Sequence, residues 1–542
     1  MKNKYAIFLI VFLSCFLYTK AVGYYFYIQF KDKNGTPYTL NNPSAYLTQR
    51  ALDRRTFFDV AIDSTDLPVN QSYVAQIQAL NLTIHCRTKW MNGITVTTGD
   101  SSLIIPVQNL SFVKFVQYTG KTNASGSLIS RRKLIQETAT TDYGAAATQI
   151  NQLNGAILHD NGYRGQGIHI AVIDAGFNNA NTNPGFDSLR SEGRLLGVKN
   201  FVNPSVSVYA ENAHGSNVLS TMAGNIPNTY VGTAPKASYW LLQSEANNTE
   251  TLAEPDFWIS AIEFADSVGV DLSTTSLGYT VFDDSTMNFT YADMNGKTAR
   301  ASIAATMAAQ KGIMVLNSAG NSGNSSWHYI GVPADADKII TVGAVTNTGI
   351  PSTFSSYGPT SDGRIKPELC AMGTSSALID INGTVSYGNG TSYSCPILGG
   401  MTACFLQAAK NKQPTLSLAE IRDILYQSAN YYSAPTSQMG YGIPNFQTAY
   451  NQLTSLATKN NFYDENVTVF VNKQNTILSV LLNQKLNRKG VAKLFTLTGN
   501  QIQNQIFEQE KFNLDIQVVP AGIYILNLNF DGKTINKKVM IR

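Results

Sequence analysis

The chain has 542 residues, too many for one typical domain, so three or four units are expected. Hydrophobic residues make up 43% and charged residues only 14%, a balance that can bury large cores and excludes a mostly disordered chain. The formal charge is +4, but Lys2, Lys4 and Lys20 fall in an N-terminal segment that reads as removable; the remainder, about +1, argues against a nucleic-acid surface built on bulk charge.

Lys2 and Lys4 precede an uncharged run from Tyr5 to Tyr18 that is too short for a comfortable transmembrane helix. Ala21-Val22-Gly23 places small residues where a signal peptidase reads, so residues 1–23 are expected to be a secretory signal. The alternatives are a membrane anchor or a lipoprotein acylated at Cys15, for which Phe12-Leu13-Ser14-Cys15 is a poor match. No later stretch reaches about 18 apolar residues, so the mature chain is expected to be soluble. Cys86, Cys370, Cys395 and Cys404 form no CxxC pair, and without an HExxH motif zinc has no obvious ligands. Cys395 and Cys404 share one predicted helix, roughly 13 Å apart by its rise. That exceeds disulfide reach, and buried free thiols are expected.

Residues 24–140 read as a small α+β domain and a linker. Tyr24 to Phe30 alternates like the edge of a sheet, Pro43 to Asp53 and Val74 to Leu80 read as helices, and Ile94 to Thr98 as a strand. Arg50, Arg54 and Arg55 cluster near the end of the first helix. Thr122 to Thr141, with Arg131-Arg132-Lys133, has the composition of an exposed, cleavable linker. Residues 141–456 change character. Ile168–Ile173, Tyr239–Leu242, Ile313–Leu316 and Ile339–Val345 are continuous apolar runs, alternating with helical stretches at Phe257–Val268, Ala299–Lys311 and Ser394–Ala409. That pattern predicts an α/β fold, a parallel sheet with helices on both faces. Residues 457–542 lose the helical signal; five predicted strands separated by Asn, Gly and Asp turns make a small all-β sandwich.

Nucleophilic attack on a peptide needs a base that titrates near neutrality, and only five histidines are available. His85, His159, His169 and His328 read as packed or solvated. His214 stands at a helix start among small residues, in Ala213-His214-Gly215-Ser216. Asp174 ends the first apolar strand, where parallel sheets place their sites. Ser392 lies where Gly388-Asn389-Gly390-Thr391 runs into a helix, whose unpaired N–H groups can stabilise an oxyanion. A turn aspartate and an N-cap serine are the plain structural alternatives for the last two.

Together the segments AVIDAGF around Asp174, HGSNVLSTMAG around His214, NSAGN ending at Asn321 and GTSYSCPILGG around Ser392 resemble the subtilases, the subtilisin-like serine proteases. The order Asp, His, Ser is theirs. VGTAPKA at 231–237, TTSLGY at 274–279 and VGAV at 342–345 fall in sequence with it. The resemblance implies a subtilisin-like sheet, Asp174, His214 and Ser392 as the catalytic triad, and Asn321 as the side-chain oxyanion donor. It implies Ser276, Leu277 and Gly278 as a strand that pairs with substrate, and Gly331 as the open floor of the primary specificity pocket. Ala175 and Tyr393-Ser394 depart from the usual pattern without removing a catalytic atom.

The resemblance also implies a secreted serine endopeptidase made as a latent precursor, with residues 24–140 as propeptide and inhibitor. FYIQFKDKNG, RALDRR and KWMNG look similar to subtilases of the phylum Bacteroidetes. PAGIYILNLNFDGKTINKKVMIR and LFTLTGN resemble that phylum's type IX secretion sorting domain, which implies secretion machinery as a partner and a secreted or cell-surface location. The chemistry requires no cofactor. Asp283, Asp284, Asp293 and Asn295, in an insert between Phe282 and Arg300, are candidate structural calcium ligands, with a solvated acidic loop as the alternative. An inactive exported binding protein on the same fold, or a serine esterase, is the rival function.

Overall fold

The computed structural model describes residues 23–122, 143–459, 467–472, 476–483, 485–497 and 499–541. Residues 1–22 of the expected signal and the linker with Arg131-Arg132-Lys133 lie outside them. Two compact units emerge: one takes the chain to residue 449 apart from 411–413, the other takes 450–542 with 411–413.

The larger unit starts with an antiparallel sheet in the order Thr83–Thr88, Gly93–Thr98, Tyr24–Phe30, Val113–Lys121. Tyr24–Phe30 is therefore an inner strand, correcting the expected edge. Its alternation places two apolar sets on opposite faces. Phe26, Ile28 and Phe30 pack into the N-terminal segment's own core with Val74 and Ile77. Tyr25 and Tyr27 pack against Phe257 and Trp258 of the following domain. The expected helix over Pro43 to Asp53 is also corrected. A 3₁₀ turn at Pro43–Ala45 is followed by a separate α-helix, Gln49–Phe57, whose N-cap Thr48 accepts a hydrogen bond from the Ala51 N–H.

The domain that follows is built on seven parallel strands, in the order Leu369–Met372, Ile340–Val345, Met314–Ser318, Leu272–Thr275, His169–Asp174, Ser238–Gln243, Leu195–Asn200. Successive side chains on a strand face opposite sides. Thr274 Oγ1 lies 3.5 Å from Cys395 Sγ, while Thr275 Oγ1 accepts from Trp258 Nε1 at 3.1 Å. The helix Thr391–Lys412, which carries Cys395, thus covers one face, and Glu254–Val268, which carries Trp258, covers the other. Arg300–Gln310 packs beside Glu254–Val268. Cys86, Cys370, Cys395 and Cys404 are all buried and unpaired.

The N-terminal segment rides on those two helices through buried charges. Asp266, fully buried, receives both Arg54 and Arg55, and Arg55 also bonds Asp66 at 3.0 Å. Lys311 reaches Asp66 at 2.9 Å. Glu263 accepts the backbone N–H groups of Lys89 and Trp90 at 2.7 and 2.8 Å. Arg300 grips Asp256 through two hydrogen bonds and lies 4.0 Å from the ring centre of Tyr27.

The second unit packs a three-stranded antiparallel sheet (Val467–Val471, Ile477–Leu482, Lys511–Asp515) and a four-stranded one (Gln501–Phe507, Gly490–Thr496, Gly522–Phe530, Lys533–Ile541) around one core of Leu478, Val480, Leu494, Leu514, Leu526 and Leu528. Gln501–Phe507 and Lys511–Asp515 escape sequence reading because their polar residues outnumber the apolar ones; in the first only Phe507 is buried. Among the described residues no helix is long and apolar enough to cross a membrane.

Removing one partner of a buried pair strands the other charge in a low-dielectric site. Asp266→Ala is expected to destabilise the full chain by about 3–5 kcal/mol in urea unfolding. Asp187→Ala, which removes an exposed partner of Arg190, should change stability by less than about 1 kcal/mol. Equal effects would show that the buried pairs do not hold the segment.

Candidate active site

Three strand ends at the C-terminal edge of the parallel sheet carry candidate residues, and those leading to Ser276 and Asn321 line one cleft. His169–Asp174 lies where the strand order reverses, with Leu272–Thr275 on one side and Ser238–Gln243 on the other, the position at which open parallel sheets form a crevice. Asp174 is its last residue and is fully buried. Ser276–Gly278 continue directly from Leu272–Thr275, and Asn321 follows three residues after Met314–Ser318.

Two helices bring the remaining groups. His214 opens the helix His214–Ala223, and its backbone N–H is capped by Asn212 Oδ1 at 2.8 Å. His214 Nδ1 lies 2.6 Å from Asp174 Oδ1, which also accepts the Ala175 N–H at 2.8 Å. The neighbouring glycine permits this approach: a Cβ on Gly215 would stand 2.4 Å from the Gly176 carbonyl and 3.0 Å from Asp174 Cβ. The imidazole keeps 30% of its surface exposed while the carboxylate has none.

The helix Thr391–Lys412 begins three residues before its expected start, so Ser392 sits in the first turn and Pro396 in the second. Proline has no N–H to give the carbonyl four residues earlier, which is that of Ser392. That carbonyl instead accepts the Ser276 hydroxyl at 3.0 Å, tying the serine's helix to the segment after the central strand. The rings of His214 and Tyr393, the residue after Ser392, lie 6.4 Å apart. Asn321 Oδ1 accepts both the N–H and the hydroxyl of Thr391, at 2.9 and 3.0 Å. Its Nδ2 is then the donor that Asn321 presents to the cleft it shares with Ser392.

That cleft encloses about 150 Å³. Ser276, Leu277, Gly278 and Gly331, the segments singled out in the sequence, all line it. Its two walls are joined by an antiparallel bridge, with Tyr279 and Val332 exchanging N–H···O bonds of 2.8 and 3.1 Å. A Cβ on Gly331 would lie 2.9 Å from Thr280 Cγ2, so the floor has no room for a side chain. Trp327 and Tyr329 complete the wall; read as mere surroundings of His328 in the sequence, they belong to the pocket itself.

The other histidines pack elsewhere. His85 stacks on Phe257, His159 bonds the Thr233 carbonyl, and His328 stacks on Tyr357. Burial pushes His169 down to about 4.

Residues 165–442 match the subtilase family, a little over half of the chain. The chain belongs to the subtilase family. Residues 25–137 match the peptidase S8 propeptide domain of Bacteroidota, and 468–542 the secretion system C-terminal sorting domain. Subtilisin NAT of Bacillus subtilis subsp. natto is 30% identical over 303 residues, covering 55% of this chain and 70% of its own. Subtilisin DY of Bacillus licheniformis is 31% identical over 274 residues, covering 49% and 85%. Among solved structures, a mutant of the epidermin leader peptide processing serine protease from Staphylococcus aureus superposes with a TM-score of 0.53 at 17% identity, covering 79% of this chain and 99% of that one. This subtilase is a serine-type endopeptidase with a propeptide and a sorting domain, hence a secreted or cell-surface protein made in latent form.

In the subtilase insert the candidate calcium ligands turn inward on their own loops. Asp284 caps Thr286, Asp293 closes a capping box with Thr290, and Asn295 binds the N–H groups of Lys297 and Thr298. Asp283 donates its N–H to the Glu250 carbonyl at 2.8 Å, and its Oδ2 accepts the Glu250 N–H at 3.4 Å. A different acidic group converges: oxygens of Glu245, Glu250 and Glu254 lie within 4.8 Å of one another, a geometry that could hold a hard cation. The five- and four-residue spacings of these glutamates carry no sequence signature. Glu254 accepts the N–H groups of Thr251 and Ala246, and Tyr279 donates its hydroxyl to Glu245 at 3.1 Å. Burial first, then the neighbouring carboxylates, push Glu254 up to about 8 and Glu250 up to about 9, and hold Glu245 well above the usual range.

A carboxyl raised in this way keeps a proton in the folded chain that the unfolded chain has already released. Folding stability therefore declines as pH rises from about 4.5 through 8 and 9. Glu250→Gln removes one of these titrations, and the melting temperature should then fall less between pH 7 and 10 than in the wild type. An identical fall would mean that the cluster does not contribute.

Proposed function

We propose that this subtilase cleaves peptide bonds in proteins through an acyl-enzyme formed on Ser392, with His214 as general base and acid and Asp174 as its orienting partner. The observation that carries the reading is the 2.6 Å contact between buried Asp174 and half-exposed His214, beside the helix whose first turn bears Ser392. The carboxylate holds the proton on Nδ1 and leaves Nε2 as the base. Ser392 Oγ attacks the scissile carbonyl carbon as its proton passes to Nε2. The same proton then goes to the leaving amine, and the C–N bond breaks. Water repeats the sequence on the ester, releasing the acid and restoring the serine. The developing oxyanion meets the Asn321 amide and the N–H groups at the start of a 22-residue helix. Side chains and backbone supply all of this chemistry.

An extended substrate pairs with Ser276–Gly278 as an added strand, which gives affinity tolerant of sequence. Among the described residues no charged group lines the cleft. With room for about 150 Å³ and with Trp327 and Tyr329 in its wall, the cleft suits a large apolar or aromatic residue before the scissile bond. We assign residues 1–23 to the signal, 24–140 to the propeptide and its linker, 141–456 to the peptidase domain and 457–542 to sorting by the secretion machinery. The buried ion pairs keep the propeptide in place as an inhibitor until the linker is cut.

Residues 24–542 as wild type should shorten by about the propeptide mass, while Ser392→Ala stays whole when intact masses are followed over time. If both stay whole, self-processing by Ser392 is overturned, and the precursor needs another protease or acts as a binding protein. In subtilisin, loss of the matching side-chain donor lowers turnover by about 10²–10³. Asn321→Ala is expected to do the same on casein, and an unchanged turnover would remove Asn321 from the oxyanion site.

A further inference from the structure

The insert between Phe282 and Arg300 is shaped with care for a solvated loop. Asn288 Oδ1 accepts the Phe282 N–H at 2.7 Å, and the Phe289 N–H returns to the Thr280 carbonyl at 3.0 Å, so the insert starts and folds back beside the cleft floor. The capping box of Thr290 and Asp293 then winds one 3₁₀ turn, Tyr291–Asp293. That turn is pinned at both ends. Tyr291 Oη donates to the Pro359 carbonyl at 3.0 Å, and Ser361 Oγ donates to the Ala292 carbonyl at 3.1 Å.

The turn delivers one ring to the specificity cleft. Tyr291 stacks on Tyr329 with centroids 4.0 Å apart and planes 24° apart. Tyr329 lines the cleft, while Tyr291 stands behind it. On its other side Tyr329 meets Tyr357 edge-on at 6.3 Å. The backbone around it is tight: Trp327 Nε1 donates to the Ile330 carbonyl at 3.2 Å, and His328 adopts a φ of 42°. The His328 ring also flanks Tyr329, with centroids 4.2 Å apart, and the stack on Tyr291 adds the restraint that comes from the insert.

We infer that residues 282–299 form a specificity element of this peptidase, in which Tyr291 is a positioning residue that fixes Tyr329 as the wall for a large aromatic side chain preceding the scissile bond. The inference rests on the proposed peptidase activity and names the part of the chain that sets its preference. Tyr291 touches no substrate; its effect passes through the facing ring. Stacked aromatic pairs are worth enough to change a rate constant by about three- to tenfold.

The test uses the full chain after self-processing and two peptides that differ only in Phe or Ala before the cut. With Tyr291→Ala, kcat/KM for the Phe peptide should fall about three- to tenfold, mainly through KM, and that for the Ala peptide should stay within about twofold. Tyr291→Phe keeps the stack and should keep the wild-type ratio. Tyr329→Ala should lose the same selectivity, and the double variant should lose no more than either single one, because both act on one wall. If Tyr291→Ala folds poorly, Tyr291→Leu retains bulk without the stack and serves instead. An unchanged Phe-to-Ala ratio overturns the inference, and so does an equal loss on both peptides, which marks a merely structural role. A wild type that neither shortens itself nor cleaves casein overturns the peptidase reading and this inference with it, whereas one that cleaves casein but neither peptide overturns this inference alone.

Discussion

The hydrogen bond between Asp174 and His214 joins residues 40 positions apart, and much of the peptidase domain exists to hold its two ends. A carboxylate with no exposed surface is costly to keep charged unless donors face it. Here the Ala175 N–H and the imidazole supply them, both on one oxygen. The histidine can come that close only because Gly215 has no side chain to strike the Gly176 carbonyl. The strand must end at Asp174 and the helix must begin at His214, and the parallel sheet fixes both.

Ser392, the proposed nucleophile, is located by a second constraint of the same kind. Pro396 withholds an N–H from the first turn of its helix, and the freed Ser392 carbonyl is taken up by Ser276. One interaction thereby registers the serine against Ser276–Gly278, the segment proposed to pair with substrate. Asn321 is set by the residue before the serine, since Thr391 donates twice to its oxygen. The groups that would attack, orient and stabilise are thus fixed by backbone atoms, which tolerate side-chain change elsewhere in the cleft. That freedom is visible in the wall of Trp327 and Tyr329 and in the insert behind it.

Latency has its own physical signature. The N-terminal segment is bound partly by aromatic packing of Tyr25 and Tyr27, but also by arginines and carboxylates that are almost wholly buried. Buried ion pairs give little net stability over an apolar contact, yet their halves are well solvated once parted. An interface that must come apart without leaving a sticky surface is well served by such pairs. The C-terminal unit, by contrast, buries a core of aliphatic and aromatic side chains from its own two sheets.

The sequence by itself determined the class of the fold and pointed to Asp174 and His214, which the structure brings together. Strands buried on both faces are written as continuous apolar runs, and His-Gly and the Gly that leads into a Thr-Ser helix start are local steric requirements. The runs around Ile170, Leu241, Val315 and Val342 could be placed within a residue or two for that reason. What the sequence could not decide were relations between distant segments. Tyr24–Phe30 reads as an edge because alternation cannot tell a solvated face from one that packs on another domain. The carboxyl cluster of Glu245, Glu250 and Glu254 and the stack of Tyr291 on Tyr329 have no periodicity at all. The stack exists because loops following different strands end at one edge of the sheet, a proximity set by chain topology, while the cluster depends on how the single loop after Ser238–Gln243 folds into the helix Glu254–Val268.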